Sequence, residues 1–458
     1  MSDIERAYKA LVGKLAEYNL LFQYADGEQP LIYSTAKLQA TFKNLNARFQ
    51  QNWISVIVDS ALDRLAFKGW SSEDTAIVDG LALLFDQCQI AIEADDAHEG
   101  ALITHEAFII VWKDDEDGIQ VYYNDPRMCH VFYDSDNPKK KEFAAKWYVD
   151  QEKKYHMVLY YPEKIEYYVS ETVKNGVPKN AAAFKVEEET KVNPFNEIPV
   201  FHFRTDRRGK NSDITNVLTL QDAINKLLAD MMVAAEFAAY RQRWIITNAD
   251  TSGLKNGANE IWSIPAGDGV GQQSQVGEFP ESNLTNFLNS IDKLANSIAI
   301  ISRTPKHYFY STGSNISGEA LLAMESPLVA KVERHQKNFG VTWMEIGSFL
   351  GKLSGIDVPK DKIKLVWEPA QAVQPLTEAQ TIKTNVEATV PLESALRWSG
   401  KNEFEIQKIM KEVEKANKDK MTFAKAELER LRLETEQSNE QPDGSGGDQS
   451  DGDQPNME

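Results

Sequence analysis

LQDAINKLLADMMVAAEFAAYRQRW, residues 220–244, carries Ile224, Leu227, Leu228, Met231, Ala235 and Ala238 on one side of a helix that begins near Ser212 with Ile214 and Val217. Asp213 and Asp222 lie towards its start and Arg241 and Arg243 towards its end, the order that a helix dipole favours. Alanines at 229, 234, 235, 238 and 239 crowd its second half, which suits close helix approach or simply high helix propensity. The next stretch, Trp244 to Pro280, is glycine-rich and β-like. A second helix is expected from Ser282 to about Ile301, with Leu284, Leu288, Ile291, Leu294, Ile298 and Ile301 on one face. Arg303 to Ile316 reads as a loop containing Pro305 and Gly313, and Ser317 opens a long helix reaching Leu353, with Pro327 as its expected kink.

Upstream, the texture is helical, then sheet-like. Ser2 with Glu5 forms a capping box for a first helix. A second should start near Asn52 and end at Gly69, and a third should follow Ser71-Ser72. Ala107 to Trp112 and Ile119 to Tyr123 form strands about an Asp117-Gly118 turn. Further strands are expected at Phe143–Val149, Tyr155–Tyr161, Lys164–Ser170 and Pro199–Phe203. Together these predict an α+β fold in which an antiparallel sheet packs on helices. Downstream of Pro375, two helical segments separated by Ser399-Gly400 make a charged module, with Asn402 and Glu405 capping the second. Beyond Glu434 the composition is polar and acidic, with almost nothing to bury, which predicts disorder.

The chain has 458 residues, enough for two or three domains, and a net charge of −19. Eight of the acids lie in the last 25 residues, so the remainder still carries −11. That balance argues against gripping nucleic acid by broad neutralisation of phosphates. No basic leader precedes an apolar stretch, and no apolar run approaches a membrane span, so neither secretion nor a membrane partner is expected. Cys88 and Cys129 form no CxxC pair and suit a reducing cytoplasm.

No catalytic signature stands out. The Gly267, Gly269, Gly271 cluster lacks a following Lys-Ser or Lys-Thr and opens no helix, so it is read as a turn and not a P-loop. His98 and His105 are seven apart, which is not the spacing of a zinc helix, and no metal or cofactor is expected. The acidic run Asp114–Asp117 before Gly118 lacks the terminal Glu of a calcium loop. Lys139–Lys141 and the set Arg204, Arg207, Arg208 and Lys210 read first as solvated faces, with nucleic-acid contact as the alternative. Arg303, Lys306 and His307 differ, because Tyr308, Phe309 and Tyr310 stand beside them in a loop between long helices. Charge mixed with flat side chains suits a loop that touches a nucleic-acid backbone; the alternative is a surface loop with its aromatics tucked in.

The order of elements resembles siphophage portal proteins of the type found in phages of Gram-positive bacteria. NWISVIVDSALDRLAFKGW from Asn52, AHEGALITHEAFIIVW from Ala97, the Leu220 stretch above and RTPKHYFYSTGSNISGEALLAMESPLVAKVERHQKNFG from Arg303 carry the resemblance, which covers roughly residues 40 to 420. It implies a homododecameric ring at one capsid vertex, a channel for double-stranded DNA in packaging and ejection, and no enzymatic activity. It further implies a wing (1–211), stem helices (212–243 and 281–302), a clip (244–280), a tunnel loop (303–316), a long kinked helix returning to the wing (317–374), a helical crown (375–433) and an acidic tail (434–458). Arg303, Lys306, His307, Tyr308 and Tyr310 would face DNA from the tunnel loop, and Trp244, Trp262 and Phe279 would mark the clip as a docking surface. The implied partners are terminase, the head-to-tail adaptor, and the major capsid or scaffolding protein. The implied location is the virion, after assembly in the host cytoplasm. An unrecognised hydrolase, or a head component that forms no channel, are the competing readings; particle mass and shape separate them.

Overall fold

The computed structural model describes residues 2–29, 51–114, 116, 118–173, 176–206, 212–239, 243–247, 251, 275–278, 283–309, 318–371, 375–399, 401 and 403–439. The chain divides into two compact units, Met1–Ala372 and Val373–Glu458. The first is α+β, as the sequence predicts. Its N-terminal helix α1 (Asp3–Ala25) opens where the Ser2 amide donates to Glu5 Oε2 at 3.1 Å. Helix α2 (Trp53–Leu62) is capped by Asn52, whose Oδ1 accepts from the amides of Ile54 (3.1 Å) and Ser55 (3.3 Å).

Here one expectation fails. Gly69 does not end a helix; α2 stops at Leu62, and Phe67–Ser72 is strand β1. It pairs antiparallel with Ile363–Trp367 of the same unit, placing Phe67 opposite Trp367, with an irregularity between Phe67 and Gly69. The reason is tertiary. Phe67 stacks on Trp343 at 4.5 Å between centroids, and the Trp70 indole donates to the Trp343 carbonyl at 3.0 Å. The third expected helix is also two, α3 (Thr75–Gln87) and α4 (Ile90–Thr104), because Gln89 adopts left-handed φ 51° and turns the chain.

Strands β2 (Glu106–Asp114) and β3 (Gly118–Asn124) form the expected hairpin, with Trp112 opposite Gln120. Strand β10 (Val200–Arg204) pairs with the other edge of β2. A larger sheet runs β4 (Cys129–Tyr133), β5 (Lys141–Val149), β6 (Tyr155–Tyr160), β7 (Lys164–Ser170) and β8 (Phe184–Val186), and β9 (Lys191–Val192) also joins β7. Strands β4, β8 and β9 were not expected from the sequence. Helix α1 covers one part of this sheet, where Leu11, Phe143, Trp147 and Leu159 are buried together. The main core gathers α2, α3, α4 and the β2 sheet around Phe339, Trp343 and Phe349.

Those last three lie on the long helix α7 (Gly318–Ser354), preceded by helices α5 (Leu218–Ala239) and α6 (Thr285–Ser302). Pro327 lies inside α7, which continues through it. Strands β11 (Arg243–Ile246) and β12 (Gln275–Glu278) pair between α5 and α6, and β13 is Ile363–Trp367. The second unit comprises α8 (Pro375–Glu387), α9 (Leu392–Trp398) and α10 (Glu403–Asn439). Helix α10 runs past Glu434, so helix extends beyond the point where the composition predicts disorder. Residues 440–458 lie outside the described set.

Candidate nucleic-acid interface

Helices α5 and α6 pack against each other, burying Ile224, Ala229, Ile291, Ala295 and Ile298. The first turns of α5 are tied to the body by polar contacts. Tyr24 donates to both carboxylate oxygens of Asp222 (2.9 and 2.8 Å). Gln221 donates to the Gln51 carbonyl (2.6 Å) and accepts from the Trp53 amide (3.1 Å). A buried ionic knot lies just before α5. The Asp213 carboxylate lies 3.0 Å from Lys331 Nζ and 3.2 Å from His335 Nε2, and Lys331 also donates to the Ser302 carbonyl at 3.1 Å. Burial alone would raise the Asp213 pKa, but Lys331 and His335 beside it hold it below the usual carboxylate range. One lysine of α7 thus fastens both the approach to α5 and the last carbonyl of α6.

Between α5 and α6 the strand pair β11–β12 sets Trp244 opposite Gly277. A Cβ on Gly277 would lie 2.5 Å from the Trp244 ring, so the indole covers the glycine directly. Of the other expected docking residues, Trp262 and Phe279 lie outside the described residues.

The loop after α6 begins at Arg303, in left-handed φ 60°, whose amide closes the helix on the Ala299 carbonyl. Arg303 is exposed, whereas Thr304 and Pro305 are buried. A 3-10 turn, Lys306–Tyr308, follows. Lys306 Nζ pairs with Asp292 of α6 at 2.9 Å, and His307 Nε2 lies 3.9 Å from Glu325 of α7. Tyr308 accepts from Arg64 Nη2 (2.6 Å) and donates to Glu325 Oε1 (3.2 Å). Arg64 extends the network to Glu325 Oε2 at 3.3 Å and the Ala370 carbonyl at 2.9 Å. Phe309 meets Trp53 at 5.6 Å between ring centroids. Tyr310 lies outside the described residues. The loop's described aromatics are therefore tucked against the body, and Lys306 and His307 stand beside acids of their own chain.

Of the other candidate basic residues, Lys139 and Lys140 are exposed, whereas Lys141 and Arg204 are partly buried. Lys141 donates to the Val200 carbonyl (3.0 Å) and pairs with Glu345 (3.2 Å). Arg204 stacks over Tyr133 at 5.0 Å, and Arg207, Arg208 and Lys210 lie outside the described residues. His98 is fully buried, accepts from the Trp343 indole at 3.0 Å, and is pushed down to about 3 by burial. Among the described residues, no group of three or more His, Cys, Asp or Glu is placed to hold a metal.

Sequence reading missed Lys331 and His335 as the partners of Asp213, and it missed the Arg64–Glu325 pair. A signal existed for the knot. Lys331 and His335 interrupt the apolar face of Leu328, Val332 and Phe339, and a charge on a core face needs a buried counter-charge. Arg64 gives no such sign, because its partners are brought together only by the fold.

The SPP1 Gp6-like phage portal protein model matches residues 7–419. The portal protein of Mycobacterium phage D29 is 31% identical over 136 residues, 28% of this chain and 28% of that protein. That of Mycobacterium phage L5 is 30% identical over 169 residues, 34% of each. The matched segments thus span about a third or less of these relatives' length. A solved chain from the neck of an empty GTA particle shares the fold, with TM-score 0.50, 12% identity, and coverage of 84% of this chain and 94% of that one. With a match running from the first helix into the C-terminal unit, the chain belongs to the SPP1 Gp6-like phage portal protein family.

Proposed function

We propose that this chain is the portal subunit of a phage head, twelve copies of which close into a ring at one capsid vertex. The ring conducts double-stranded DNA into the head and out again, and it acts structurally, without chemistry of its own. The observation that carries this reading is the order of elements within the family match: two packed helices bracketing a strand pair, followed by an anchored loop and a 37-residue helix. Residues 1–211 form the wing, 212–243 and 281–302 the stem, 303–316 the tunnel loop, 317–374 the long helix and 375–433 the crown. Residues 244–280 form the clip, on which terminase and then the head-to-tail adaptor dock through Trp244, Trp262 and Phe279. The wing meets the major capsid or scaffolding protein. Assembly takes place in the host cytoplasm, and the mature location is the virion.

A closed ring requires two different complementary patches on each subunit. At 51.7 kDa per chain, light scattering on the purified protein should give about 620 kDa, with a central hole in negative stain. A stable monomer at micromolar concentration across salt conditions would overturn the reading. In the tunnel loop, Arg303, Lys306, His307, Tyr308 and Tyr310 touch the DNA backbone without reading bases, because a whole genome must slide past. Lys306→Ala with His307→Ala should leave rings intact and lower the amount of packaged DNA. Unchanged packaging in that double variant would remove the loop from the mechanism.

A further inference from the structure

The wing contains an open cavity of about 780 Å³ between α1, the start of β2, β4 and β10. Its charge is the reverse of the chain's. Arg6, Lys9, Lys14 and Arg204 line it, and among the described residues Glu106 is the only carboxylate that does, in a protein of net charge −19. Glu106 is already committed. Its Oε1 pairs with Lys14 Nζ at 2.9 Å and accepts from the Tyr18 hydroxyl at 2.9 Å, while its Oε2 lies 3.0 Å from His202 Nε2. Lys14 is likewise spent, donating also to the Cys129 carbonyl at 2.6 Å. Arg6 is held by both oxygens of Glu142 (2.8 and 2.7 Å) and by Asp3 at 3.0 Å.

Two cations remain. Lys9, at the exposed rim, and Arg204, stacked over Tyr133, have no carboxylate within ion-pair distance among the described residues. A guanidinium fixed on a ring face keeps its fork of donors free for a planar or tetrahedral oxyanion. A second feature comes from the cavity wall. Gly13 lies inside α1, where glycine is unfavourable relative to alanine, yet a Cβ there would meet nothing within 4 Å. No neighbour in the chain requires that glycine, so the space it leaves is available to something that enters the cavity.

The geometry points to a binding site in the wing for a small multivalent oxyanion, held by Arg204 and Lys9 over the Glu106–Lys14 floor and admitted by Gly13. The volume exceeds that of one phosphate and suits a ligand with two or three phosphoryl or carboxyl groups. The site is separate from the stem and loop, and it stands whether or not the portal reading does.

Calorimetric titration of the full-length protein, as purified, with inorganic triphosphate and separately with citrate tests this. Triphosphate should bind once per subunit with a Kd below about 1 mM, weakening as salt rises. Arg204→Gln and Lys9→Gln should each weaken binding about tenfold, and Gly13→Leu should abolish it. The unfolding midpoint without ligand should stay unchanged in the two glutamine variants and not fall in Gly13→Leu. Equal binding of citrate would identify a reader of charge, and preference for triphosphate a reader of phosphoryl groups; both sustain the site. Absence of saturable binding with either anion, or binding undiminished in all three variants, would overturn it.

Discussion

Asp213→Ala is the substitution whose cost follows most directly from the structure. At 3.0 Å from Lys331, the carboxylate attracts it by about 5–6 kcal/mol at an effective dielectric of about 20. Desolvation of the two groups offsets much of that, so the pair itself is a small net contributor. Removing one partner is a different matter. Lys331 would lose its counter-charge and keep only the Ser302 carbonyl as a partner, which costs about 3–5 kcal/mol. An unfolding entropy of about 2.1 cal/mol/K per residue gives the Met1–Ala372 body about 0.8 kcal/mol/K, so Tm should fall by roughly 4–6 °C. Adding Lys331→Met removes the orphaned charge, and the double variant should recover about 2 kcal/mol or more relative to the sum of the singles. The acid limb carries a second signature. Asp213 is depressed in the folded chain, so its stabilisation is complete above its unfolded pKa of about 4 and fades as pH falls below that. The Asp213→Ala variant should therefore lose less stability between pH 5 and 3 than the parent does. Thermal and urea unfolding of both singles and the double provide the cycle. A single-variant loss under about 1 kcal/mol, or strict additivity in the double, would refute the argument that the knot is a coupled buried unit.

Two further outcomes follow from packing and composition. Gly347→Ala should destabilise by about 1–3 kcal/mol in urea unfolding, because the added Cβ would lie 2.5 Å from Trp70 Nε1 and break its bond to the Trp343 carbonyl. Truncation after Asn439 should leave the unfolding midpoint and the number of subunits per particle unchanged, since Met457 is the single large apolar residue removed; a smaller number of subunits would assign that segment a structural role.

What could be read from the sequence was what is local. The β2–β3 hairpin is encoded by alternation around Asp117-Gly118, and Gly118 takes φ 74° there. Helices α5, α6 and α7 announce themselves by long apolar stripes. Strand β1 does not, because FKGWSS holds a glycine and a lysine and its partner strand, Ile363–Trp367, lies far downstream. Its strand state is fixed by Phe67 and Trp70 packing on Trp343, a tertiary effect that overrides propensity. The loop residues Arg303, Lys306, His307 and Tyr308 were legible as a charged aromatic cluster, but their partners were not. Asp292 and Glu325 sit on different helices, and only the fold of α6 back to α7 brings them to the loop. The proposed oxyanion cavity was invisible for the same reason, since the six residues that α1 contributes meet those of β4 and β10 only in the fold.

The two ends of the 3-10 turn differ in what it takes to disturb them, and that difference bears on how such a loop could meet DNA. Lys306 and Asp292 are 32% and 54% exposed at their side chains, a pair that water and salt screen to about 0–1 kcal/mol. Under the proposed role, Lys306 would therefore exchange Asp292 for a phosphate oxygen at almost no cost and return as the phosphate moves on. Tyr308 cannot leave so cheaply. Its hydroxyl sits between Arg64 and Glu325, at 15% and 14% exposure, and its departure would leave a partly buried ion pair with an unmet donor and acceptor. The turn is thus fixed at its base and exchangeable at its lysine. Under the proposed role, that division lets contacts form and break without moving the backbone, and each such lysine contributes about one counterion to the salt dependence. A lysine buried against Asp292 would instead demand desolvation at every exchange, and the DNA would advance against that barrier at each step.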